Sequence, residues 1–155
     1  MNQSRRQFVN RSVLVLGILG SGLIQLLAPL KAFGRERSPA FAANNLDAAL
    51  SEFFPGETIK PSDKLTIDVN DVIENGAVVP LAIKSGLPNV HSITILVEKN
   101  PNPLIANFKL HPVCQGFIET RIKMGESSDI IAVVRADDQL YSARKFVEVI
   151  AGGCG

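Results

Sequence analysis

The sequence predicts an all-β sandwich with one short helix in front of it and a slender tail behind it. Three observations carry this. Apolar and polar residues alternate with a period of two in several runs after residue 64. Turn-forming residues separate those runs at short, fairly regular intervals. Helical spacing appears only once in the body of the chain, so a helical or α/β class is excluded.

The elements follow in chain order. The first segment, MNQSRRQFVNRSVLVLG, places Arg5 and Arg6 before Gln7, Phe8 and Val9. An uncharged apolar run then extends from about Val13 to Leu30, softened by Gly17, Gly20 and Gly22. A twin arginine ahead of a moderately apolar stretch is the layout of a Tat export signal. Asn10 stands where such signals often have lysine. Ala40-Phe41-Ala42 offers a small-residue cleavage site before Ala43. The alternative reading of the run is a membrane anchor, since its length is close to a bilayer span. Either way the body of the protein is expected outside the cytoplasm. The expected organisation is a signal peptide over 1–42, a sandwich over 43–150 and an arm over 151–155.

The stretch Asn44 to Phe54 reads as a helix. Asn44 or Asn45 can cap it, and Leu46, Ala49, Leu50 and Phe53 fall on one face. Pro55-Gly56 ends it. Leu65, Ile67 and Val69 then alternate with Thr66, Asp68 and Asn70. Glu74-Asn75-Gly76 precedes Val78 to Ile83, and Asn-Gly is the strongest short hairpin signal. Ile93, Ile95 and Val97 alternate again, and Asn100-Pro101-Asn102-Pro103 breaks the run. Leu104 to Leu110, Phe117 to Met124, Ile130 to Arg135 and Leu140 to Ile150 complete six to eight expected strands. Asp137-Asp138-Gln139 is the turn before the last of them.

Composition narrows the function. The formal net charge of +1 misleads. Arg5, Arg6, Arg11, Lys31, Arg35 and Arg37 stand against only Glu36 in the leader region, so the body is mildly acidic. That excludes the basic patch a nucleic-acid binder needs. The roughly 110 residues after the leader suffice for one core. His91 and His111 are the only histidines, and no zinc-spaced cysteine pair, phosphate loop or nucleophile elbow occurs. Neither a metal nor a cofactor is expected, and no residue is expected to be catalytic. Asp137-Asp138 is a solvated turn, not a carboxylate dyad.

The two cysteines, Cys114 and Cys154, are the remaining chemistry. One internal disulfide is the default in an oxidising compartment. Cys154 sits one residue from the end among Gly152, Gly153 and Gly155. Glycines make that tail slim and conformationally free, and four extended residues reach roughly 14 Å. An exposed thiol on such an arm can enter another protein's cleft. The C-terminal carboxylate beside it disfavours the thiolate, so activation must come from the receiving enzyme. This is the profile of a covalent carrier. Two other readings stay open: a structural sandwich whose Cys154 forms an interchain disulfide, and a thiol enzyme pairing Cys114 with His111 across His111-Pro112-Val113-Cys114.

The ending VIAGGCG resembles the GGCGG terminus of the SoxY family, the sulfur carriers of the periplasmic thiosulfate-oxidising system. VIENGAVVPLAI (Val72 to Ile83), VEKNPNPLIANFKL (Val97 to Leu110) and the stretch from Glu119 to Gly155 also resemble that family. The resemblance implies an immunoglobulin-like sandwich and a flexible Gly-Gly-Cys-Gly arm whose Cys154 holds thiosulfate and persulfide adducts. It implies a heterodimer with SoxZ and transient visits to SoxXA, a c-type haem protein, and SoxB, a dinuclear manganese hydrolase. Periplasmic export by the Tat route is implied too, with no stable membrane anchor after cleavage. This chain departs from the family in stopping after one glycine and in carrying Cys114.

Overall fold

A computed structural model describes residues 38–151; most of the expected leader and Gly152, Gly153, Cys154 and Gly155 lie outside the described residues. A short 3-10 turn, Pro39–Ala42, leads into helix α1, Leu46–Phe53. Nine strands follow: β1 Ile59–Pro61, β2 Leu65–Asp68, β3 Val72–Asn75, β4 Val79–Ser85, β5 Val90–Val97, β6 Leu104–Lys109, β7 Phe117–Ile122, β8 Ser128–Ala136 and β9 Gln139–Ala151. The fold is an immunoglobulin-like β-sandwich with a short N-terminal helix.

The helix begins where the sequence provides an acceptor. The Asn45 side chain accepts the backbone N–H of Ala48 at 2.8 Å, satisfying one of the free donors of the first turn. Gly56 closes the segment at φ +71, a conformation that costs glycine little. Asn44 is not the cap; its side chain accepts from Asn45 instead.

One sheet has the order β1-β9-β8-β5-β6, with β3 also on β9; the other is β2-β4-β7. Alternation dictates the layering. Leu65 and Ile67 in β2, Val79, Leu81 and Ile83 in β4, and Ile118 and Ile122 in β7 point inward. They meet Ile93, Ile95, Val97, Ile130, Ala132, Val134 and Val147 from the larger sheet. The middles of strands β5 and β8 are buried on both faces because α1 and the 3-10 turn cover the far side. There Leu96, Leu104, Ile131, Val133 and Leu140 pack with Ala40, Ala49 and Phe54. Ala40 is fully buried, and Phe41 meets Phe53 edge-on at 6.1 Å. The segment read as a cleavage site thus packs on the domain.

One local expectation is overturned. Asn75-Gly76 does not close a hairpin: β3 runs parallel to β9, while β4 pairs with β2 and β7. The turn instead carries the chain from one sheet to the other. The Asn75 side chain accepts the Ala77 N–H at 2.9 Å, a local bond that asparagine offers to any such turn. Long-range bonds at Gly76 decide the outcome. The turn expected at Asp137-Asp138-Gln139 forms with Asp137 at φ +49, but only Asp137 and Asp138 make it, since Gln139 already pairs with Ala136 as the first residue of β9.

Candidate functional site

Strand β9 ends at the root of the expected arm, and the fold grips it to that point. β8 accompanies β9 from Gln139 to Val147. Beyond that, β3 takes over on the opposite edge, pairing Val72 with Glu148, Ile73 with Val149 and Asn75 with Ala151. The Ala151 carbonyl accepts the Gly76 N–H at 2.7 Å, and the Gly76 carbonyl accepts the Met124 N–H at 2.8 Å. Val149 N donates to Ser127 Oγ at 2.9 Å. Lys145 reaches from β9 to the Val69 carbonyl at 2.6 Å and to Asp71 at 2.9 Å. A parallel neighbour so far away in sequence has no periodicity signal, so reading the sequence missed this anchor. Its only trace was Asn75-Gly76, which points to a turn without naming its partners.

Cys154 lies three residues beyond Ala151, outside the described residues. Three residues span at most about 11 Å, so chain length alone keeps Cys154 within that distance of the end of β9. The arm glycines Gly152, Gly153 and Gly155 lie outside the described residues as well.

Cys114 is exposed, in a surface turn where its N–H donates to the His111 carbonyl at 2.8 Å. The Val113 N–H faces His111 Nδ1 at 3.5 Å, the outer limit of a hydrogen bond. Neither the Cys114 nor the His111 side chain lines the groove beside α1 or the smaller pockets along β4 and at the start of β9. This loop adjoins the far end of β4, where Ser85 N donates to the Gly116 carbonyl at 2.7 Å. The arm root adjoins the Val79 end. The length of β4 separates the two, about 20 Å. That exceeds the arm's reach plus the ~6 Å between Cα atoms of a disulfide, which argues against a Cys114–Cys154 bridge within one chain.

At the Cys114 end, Arg135 grips Glu57 through two bonds of 2.7 and 2.8 Å. The guanidinium's hydrogen bond holds the Glu57 carboxyl below its usual range, against a smaller opposing effect of burial. Beside it Asn89 donates to Asp137 at 2.9 Å. These contacts are structural. Among the described residues no three His, Cys, Asp or Glu side chains gather to hold a metal ion. An open groove of about 790 Å³ runs between α1 and the sheet, over Leu50, Ile59, Ile131 and Val133, with Arg144 and Asp63 at its rim. Neither cysteine nor histidine lines it. No described helix is long and apolar enough to cross a membrane.

A family model described as sulfur oxidation protein SoxY matches residues 50–154. Among solved structures, the chain is similar to the sulfur carrier protein SoxY from Chlorobium limicola f thiosulfatophilum. The two share 30% identity and a TM-score of 0.63, over 72% of this chain and 97% of that one. A variant of the superoxide reductase (neelaredoxin) from Ignicoccus hospitalis aligns with a TM-score of 0.52 at 15% identity, over 59% of this chain and 94% of that one. That second likeness is one of fold alone. No curated protein sequence matches the chain.

Proposed function

The chain belongs to the SoxY family of sulfur-oxidation proteins, and on that premise we propose that it is a covalent carrier of sulfur intermediates in thiosulfate oxidation. Cys154 is the attachment point and Gly152, Gly153 and Gly155 form its arm. The observation that carries the reading is the extent of the family match, which runs through residue 154. The firmly paired strand end at Ala151 supports it, because a short arm needs a fixed root.

The chemistry follows from the thiol. Oxidative coupling joins Cys154 Sγ to the sulfane sulfur of thiosulfate, forming Cys–S–S–SO3⁻. One proton and two electrons leave, the electrons going to the haem protein SoxXA. Hydrolysis by SoxB then adds water across the terminal S–S bond, releases sulfate and leaves a persulfide on Cys154. The chain itself contributes position and reach, and the enzymes contribute activation. SoxZ is the stable partner. The leader takes the folded pair to the periplasm by the Tat route.

Intact-mass measurement on the mature protein from thiosulfate-grown cells tests this, with and without reductant and with fragmentation of the tail peptide. Reducible additions of sulfur or thiosulfate mass on Cys154 are expected. An unmodified Cys154 during turnover, or one found only in an interchain disulfide, would leave the structural-module reading in its place.

A further inference from the structure

The length of the arm constrains more than the thiol. Ala151 is held by Asn75 and Gly76, and Cys154 can lie at most about 11 Å from it. An enzyme that takes the thiol into a cavity must therefore bring the rim of that cavity against the end of β9. The surface around Ala151 is covered each time the thiol is used, whatever path the last residues take.

That surface has a particular composition. On the outer face of β9, Phe146, Glu148 and Ile150 succeed one another, and Val72 of β3 stands opposite Glu148. Phe146 is 59% exposed, Ile150 69% and Val72 50%. Phe146 and Ile150 are four residues apart, so the patch is about 13 Å long. Single exposed apolar side chains are ordinary. Here three share one face beside the root of the arm, with Ile150 and Val72 nearest to it and Phe146 about 17 Å up the strand. Glu148 and Glu74 lie among them, and neither enters an ion pair among the described residues. Arg144, bonded to Glu98 and Asp129, borders the patch on the side away from the arm.

Resting on the carrier reading, we infer that Phe146, Ile150 and Val72 form the docking surface for the enzymes that load and unload Cys154. Their occupant is a protein whose cavity mouth presents apolar side chains flanked by basic ones, to meet Glu148 and Glu74. Three side chains fall far short of the roughly 800 Å² per partner of a stable interface. They suit a brief encounter, which a carrier visiting several enzymes needs, and they leave the stable partner to another face.

The test uses the mature heterodimer with SoxZ, wild type and Phe146→Ser/Ile150→Ser, with purified SoxXA, an excess of a one-electron acceptor to reoxidise its haem, and thiosulfate as the probe. Loading of Cys154 is followed by mass. The variant should need about tenfold more carrier for half-maximal loading, in line with loss of an aromatic anchor, while the saturated rate stays close to wild type. Alkylation of Cys154 by iodoacetamide and co-elution with SoxZ should not change. Equal concentration dependence in both proteins would overturn the inference and leave the carrier reading intact. Loss of SoxZ from the variant would overturn it too, by assigning the patch to the stable interface. Absence of any addition on wild-type Cys154 would remove both readings.

Discussion

The sandwich has two ends, each followed or crowned by a cysteine, and they are built differently. At the Cys114 end the thiol sits in the surface loop between β6 and β7, fixed by a backbone bond within its turn and by the close packing of Gly116. At the other end the chain leaves from a strand paired to its last described residue, with β3 added beside β9 where β8 has stopped. Exposure alone does not make Cys114 a carrier thiol. A carrier thiol needs a root that does not yield and an arm of known length, and only the β9 end supplies that root.

The contrast can be broken most sharply at the cysteines. Cys154→Ser should abolish thiosulfate loading with the fold intact, read by mass and circular dichroism. A protein that still loads, now on Cys114, would erase the distinction between the ends. Ile73→Ala removes the buried side chain that holds β3 against the core. It should cost about 2–4 kcal/mol in urea unfolding and speed amide exchange across residues 148–151 more than at the Cys114 end. Gly116→Ala probes the opposite end. An added Cβ would lie 2.9 Å from Val90 Cγ2 and 3.0 Å from Ser85 Cβ, so a loss of about 1–3 kcal/mol is expected, with loading unchanged.

Glu57→Gln sharpens the comparison through pH. Arg135 lowers the Glu57 pKa in the folded state, so the pair stabilises fully above the unfolded value near 4.3 and loses its effect as pH falls through the folded one. The variant should be slightly less stable at neutral pH and equal to wild type in acid, as read from thermal midpoints. The smallest effect is expected of Cys114→Ser: stability within about 0.5 kcal/mol and normal loading.

Much of this was legible in the sequence because the signals were local. Leu65, Ile67 and Val69 announce a half-buried strand by alternation alone, and Asn45 marks its helix one residue before it starts. Asp137-Asp138 turned the chain where expected. The nine strands exceed the six to eight foreseen because short β1 and β3 owe their existence to pairing with β9, not to their own patterns. For the same reason Asn75-Gly76 pointed to a hairpin that does not form. Turn chemistry is local, but the partner of each flanking strand is chosen by distant residues such as Val149 and Ala151. Burial of Leu96 and Val133 on the second face of their sheet was similarly hidden, since it depends on where α1 lies. The chemistry proposed for Cys154 rests on its neighbours in sequence, and those neighbours carry no sign of how firmly β3 holds the root at Ala151.

Strand β9 has a mechanical consequence. A thiol withdrawn from a deep channel transmits tension along the strand that bears it. The hydrogen bonds of β9 lie across its axis, to β8 over Gln139–Val147 and to β1 and β3 on its other edge. A pull from Ala151 thus loads them together in shear and does not peel them one by one. The strand behaves as a tether bonded along its length, so a load applied beyond Ala151 is shared and does not unravel the domain.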